Sequence, residues 1–94
     1  MPLEQSRRLS RQQRRDVRRA TLRACRESNS PAEAIAKAEQ ICRDEYGFVE
    51  ALIIALIVAA ISKLVPIIWN WLNSDAGPSS DADILAELEG VNLE

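Results

Sequence analysis

Apolar side chains crowd into one part of this chain. From Phe48 to Leu72 the only polar interruptions are Glu50, Ser62, Lys63 and Asn70, and the stretch 51–62, ALIIALIVAAIS, carries no charge at all. As a helix, 48–72 would span about 37 Å, more than the roughly 30 Å of hydrocarbon in a bilayer. Before it the apolar positions thin to helical stripes. Residues 10–27 are free of Gly and Pro and rich in helix formers, with Val17, Ala20, Ala24 and Cys25 on one face and Leu22 off to one side. Ser30, Pro31 and Glu33 read as a cap, a first helical position and a capping-box partner. They open a second helix with Ile35, Ala38, Ile41 and Cys42 along one face and Gly47 at its end.

After the apolar block, NSDAGPSS has the composition of a linker. Ser80 then caps a short helix with Ile84, Leu85 and Leu88 as one apolar patch, closed by Gly90. No strand-like alternation occurs. The pattern therefore predicts an all-α chain: an arm over 1–9, a helical hairpin over 10–47, an apolar helix over 48–72, a linker over 73–80, an acidic amphipathic helix over 81–90 and a tail over 91–94. A helix of some nine residues is marginal alone in water, so the last one needs a surface to dock on, expected to be a partner protein met through Ile84, Leu85 and Leu88.

The apolar block admits two solvents. Tyr46 and Phe48 stand at one edge and Trp69 and Trp71 at the other, where interfacial aromatics of a membrane span belong. Glu50 falls at the headgroups, Lys63 lies about 9 Å from Trp69 and can snorkel, and Pro66 sits near the same end. These features favour a transmembrane helix with Tyr46, Phe48, Lys63, Trp69 and Trp71 at the interfaces. The alternative is a buried helix in a homo-oligomeric bundle, consistent with an uncharged run of only twelve residues.

Charge adds direction. Arg7, Arg8, Arg11, Arg14, Arg15, Arg18, Arg19, Arg23 and Arg26 face only Glu4 and Asp16 in residues 1–26, a net +7, whereas residues 64–94 hold six acids and no base. For a spanning chain the positive-inside rule puts the N-terminus in the cytoplasm or a particle interior and the acidic tail outside. Arginine pairs bidentately with phosphate, so anionic lipid headgroups or nucleic-acid backbone are the natural partners of the nine arginines. No aromatic interleaves them, so contact with nucleic acid would be blind to sequence. An acidic protein surface, such as the chain's own tail, is a further option. A bilayer between arm and tail would forbid that contact, so finding it counts against a span.

Other chemistry is sparse. With no histidine, and only Cys25 and Cys42 for thiols, no zinc pattern or nucleophile–base pair forms, and no metal, cofactor or catalytic residue is expected. A hairpin folding about 28–30 would leave Cys42 on the order of 12 Å beyond the level of Cys25, too far for a disulfide. The apolar run begins too late for a secretory signal.

The order of parts, a basic helical arm, a single apolar span ending in WNW and a short acidic tail, resembles small bacteriophage-encoded membrane proteins, either virion membrane components or holins. The resemblance implies a membrane location, in a virion's internal membrane or the host inner membrane, and assembly as a homo-oligomer or within a larger particle. The expected function is a non-enzymatic, single-span structural protein whose basic arm contacts phosphate and whose acidic tail docks on a protein. A holin-type pore-former and a soluble helical core or connector component of a virion are the alternatives.

Overall fold

The computed structural model describes residues 8–74, 77, 78 and 80–93, so Arg7 lies outside the described residues. Among the described residues the chain is all-α: α1 (Arg11–Glu27), α2 (Pro31–Glu45), α3 (Ala51–Leu72) and α4 (Asp81–Leu88). Local chemistry sets their ends. Ser10 Oγ accepts from the Gln13 amide and the Gln13 side chain accepts from the Ser10 amide, a complete capping box. Ser30 Oγ accepts from the Glu33 amide, but the Glu33 carboxylate accepts from the Asn29 amide, one residue before the position that the sequence pattern implies. Gly47, at φ 72°, turns the chain out of α2 in the left-handed region where glycine costs least. With Glu50 as its N-cap, α3 begins at Ala51, three residues later than expected, and α4 closes at Leu88, two residues early.

The helices run up, down, up and down. The C-terminal end of α3 meets the α1–α2 turn, where Cys25, Ser28, Trp69 and Leu72 line a common cleft. Asp81 at the start of α4 pairs with Arg26, while Glu89 lies beside Arg18, so α4 returns antiparallel along α1. The molecule measures 48 × 24 × 18 Å.

Within this bundle α3 is a two-faced helix. Ile57, Ala60, Ile61, Leu64, Val65 and Ile68 form a stripe that is buried against α1 and α2. Five of these are large aliphatics, and their burial contributes roughly 10 kcal/mol before entropy is counted. The opposite face carries Ala51, Leu52, Ala55, Ala59, Ser62, Lys63, Pro66 and Asn70, all exposed. Pro66 denies the Ser62 carbonyl its helical donor. Both residues lie on the exposed face, where solvent can supply the missing bond, and the helix continues through to Leu72.

The same core extends to α4. Ile84 and Leu88 are fully buried in it, and Leu85 is half-buried. Their expected role as a patch for an outside protein is thereby corrected: the chain's own α1 supplies the surface that this eight-residue helix needs. Leu22, off the main apolar stripe of α1, is buried as well. Thr21, the buried polar residue of the core, satisfies its hydroxyl by donating to the Val17 carbonyl at 2.7 Å.

Candidate phosphate-binding face and apolar end

Of the nine arginines that look alike in the sequence, the eight described ones divide into two groups. Toward the C-terminal end of α1 they are internally paired. Arg23 donates to Glu45 at 2.6 Å and contacts Glu27 at 3.4 Å, and its bond to Glu45 holds its pKa above the ordinary value. Arg26 binds Asp81 at 2.8 Å through Nε. Lys37 and Arg43 likewise meet Glu27 and Glu39. These exposed pairs contribute little stability individually, about 0–1 kcal/mol each, but they fix which cations are occupied.

The N-terminal two-thirds of α1 is different. Arg11, Arg14, Arg15, Arg18 and Arg19 recur at the spacing of one helical face, and with Leu85 and Glu89 of the tail they line a cleft of about 450 Å³. Arg14 also donates to the Leu9 carbonyl at 2.7 Å. Arg11, Arg15 and Arg19 are exposed, and Arg8 lies exposed just before the cap. Arg18 is the most constrained: its Nε is buried and, among the described residues, has no hydrogen-bond partner. Desolvation lowers its pKa, the neighbouring charge of Arg14 adds to that, and Glu89 opposes it. Among the described residues, five guanidinium groups and one carboxylate line this face.

The second feature is the N-terminal end of α3. Val49 is 79% exposed and Leu52 47%, and the Tyr46 and Phe48 rings stack beside them with centroids 6.2 Å apart. Only a third of the most apolar stretch of α3 is buried, and the helix is long and apolar enough to cross a membrane by length and composition. At the other end Trp69 and Trp71 are half-buried against the core rather than standing free. Lys63 is exposed, and no ion pair to it occurs among the described residues. Of the residues expected at the two interfaces, Tyr46, Phe48 and Lys63 thus border open surface, while the tryptophans pack on the α3 end of the bundle.

The thiols offer little reactivity. Cys25 and Cys42 are free and buried, with pKa values pushed up by desolvation to about 11 and about 12, so both stay protonated and weakly nucleophilic at neutral pH. The Asp16 charge acts on Cys42, which places Cys42 near the Asp16 level of α1, well away from Cys25. No group of three His, Cys, Asp or Glu able to hold a metal occurs among the described residues.

No protein-family model, curated protein or solved structure matches this chain. Sequence reasoning missed the division of the arginines, although one signal was present: positions 11, 14, 15, 18 and 19 share a face, whereas Glu27 lies one turn beyond Arg23 and can pair with it.

Proposed function

We propose that the chain is a small, non-enzymatic structural protein that binds a membrane surface, setting the open end of α3 into the headgroup region and offering the arginines of α1 to phosphate. The observation that supports this most directly is the bare apolar end of α3, with Val49 and Leu52 exposed beside the stacked Tyr46 and Phe48. Because α1 and α3 run in the same direction, Arg8 and Arg11 fall at that same end of the bundle. Shallow apolar insertion joined to basic residues is the combination that holds peripheral proteins on anionic bilayers. A virion's internal membrane or a bacterial inner membrane would each present such a surface.

A full span needs more than α3. In the packed fold α1 and α2 lie along Ile57–Ile68, and the tail touches the arginine helix through Arg26 and Asp81. Crossing the bilayer would require the hairpin to leave α3, since the arginines cannot follow it into hydrocarbon. Surface binding asks for no such rearrangement.

The test is flotation of the whole chain with vesicles of phosphatidylcholine alone and with added phosphatidylglycerol. Co-flotation with the anionic vesicles, lost on Leu52→Glu, supports the reading; indifference to both vesicles removes it. A second reading, a soluble helical component of an assembly, is favoured by the exposed line Ala51, Ala55 and Ala59, small residues that let a second helix approach closely. A defined oligomer in detergent-free buffer that ignores vesicles would select it.

A further inference from the structure

We propose that the cleft between α1 and α4 is a discrete site for an anion carrying several linked phosphate groups, of the linear-polyphosphate class. It rests on the reading that α1 meets phosphate and narrows it from a diffuse basic helix to one bounded site. Three observations converge. From Arg11 to Arg19 the guanidinium row covers on the order of 12 Å, more than a single phosphate can engage. Leu85 and Glu89 wall the row on one side and limit the cleft to about 450 Å³, a small-ligand volume that does not suit a duplex lying along the helix. Arg18 Nε is buried and, among the described residues, has no hydrogen-bond partner, so an acceptor would satisfy it.

The other arginines do not belong to the site. Arg23 and Arg26 are held by Glu45 and Asp81. Glu89 is the one carboxylate lining the cleft among the described residues, and its negative charge weakens the site's hold on an anion. The tail therefore both shapes the site and tempers it.

Calorimetric titration of the whole chain with inorganic tripolyphosphate tests this. The expected result is saturable binding of one tripolyphosphate per chain. Arg15→Gln and Arg19→Gln should each weaken it about tenfold or more, as loss of a charge-assisted bond implies. Arg15→Lys should weaken it less, Arg23→Gln should change it less than twofold, and Glu89→Gln should tighten it several-fold. Equal losses for Arg15→Gln and Arg23→Gln would overturn the site in favour of a general electrostatic field, as would unsaturable binding or weaker binding by Glu89→Gln. Duplex DNA that binds more tightly than tripolyphosphate, with equal dependence on Arg15 and Arg23, would assign the face to nucleic acid instead.

A vesicle arm identifies the source of the phosphates. If tripolyphosphate releases the chain from vesicles containing phosphatidylinositol bisphosphate, the occupant is a headgroup; if flotation persists while tripolyphosphate is bound, it is a soluble anion. Either result upholds the site. Leu52→Glu keeps the two proposals apart, because it should abolish flotation and leave tripolyphosphate binding intact.

Discussion

Replacing Leu88 with alanine should detach the tail helix without unfolding the rest. α4 has eight residues, too few to hold a helix in water, and its two fully buried side chains are Ile84 and Leu88. Burying that pair contributes roughly 3–6 kcal/mol. The Arg26–Asp81 pair is exposed and contributes at most about 1 kcal/mol. A buried Leu→Ala change ordinarily costs about 2–5 kcal/mol, a large part of what the pair supplies, so release of α4 becomes easier than keeping a cavity under it. The cost should therefore saturate. Leu88→Ala alone should remove hydrogen-exchange protection from amides 84–91 while those of α1 and α3 keep theirs, and adding Ile84→Ala should lower the urea midpoint little further. Two full and additive losses of about 2–5 kcal/mol in global stability would refute the reasoning, because α4 would then belong to the cooperative core. Unchanged protection in α4 would refute it as well, by showing that Leu88 is not what holds the helix down.

Other consequences can be checked separately. Ile61→Ala removes a fully buried side chain from the face of α3 packed on the hairpin and should cost about 2–5 kcal/mol in global unfolding followed by circular dichroism. A Cβ at Gly77 would sit 2.9 Å from the Trp71 carbonyl oxygen, so Gly77→Ala should push the linker off the end of α3, cost about 1–3 kcal/mol and shift tryptophan emission to the red. Cys42 titrates near 9 when unfolded and near 12 when folded, so its contribution is intact below pH 9 and is lost as pH rises toward 12. By pH 10.5 the loss should approach about 2 kcal/mol, at ~1.4 kcal/mol per pH unit, and melting of Cys42→Ala should lack that increment.

Much of this fold was legible in the chain because local chemistry wrote it. Ser10, Ser30 and Ser80 cap helices through their side chains, Pro31 opens α2 and Gly47 ends it, so the count and order of the helices followed from residues a few positions apart. What could not be read locally was which surfaces meet. The tail's apolar patch is the same whether its partner is a foreign protein or α1, and only the packed chain shows Ile84 and Leu88 beneath its own surface. The same holds for α3. Its composition fits lipid, yet Ser62, Lys63 and Asn70 all lie on one side and Ile57, Ile61, Leu64, Val65 and Ile68 on the other, a division that helical periodicity carries and a running average of hydropathy hides. The arginine site was hidden for the first of these reasons. Its walls, Leu85 and Glu89, come from the element that was expected to face away.

As proposed, the packed chain lies on a membrane and does not cross it. Membranes from cells expressing the whole chain should carry it at neutral pH and low salt, and a wash in alkaline carbonate should release it into the supernatant. Retention in the pellet after that wash would contradict the account, because it would mean that α3 had left the hairpin and inserted.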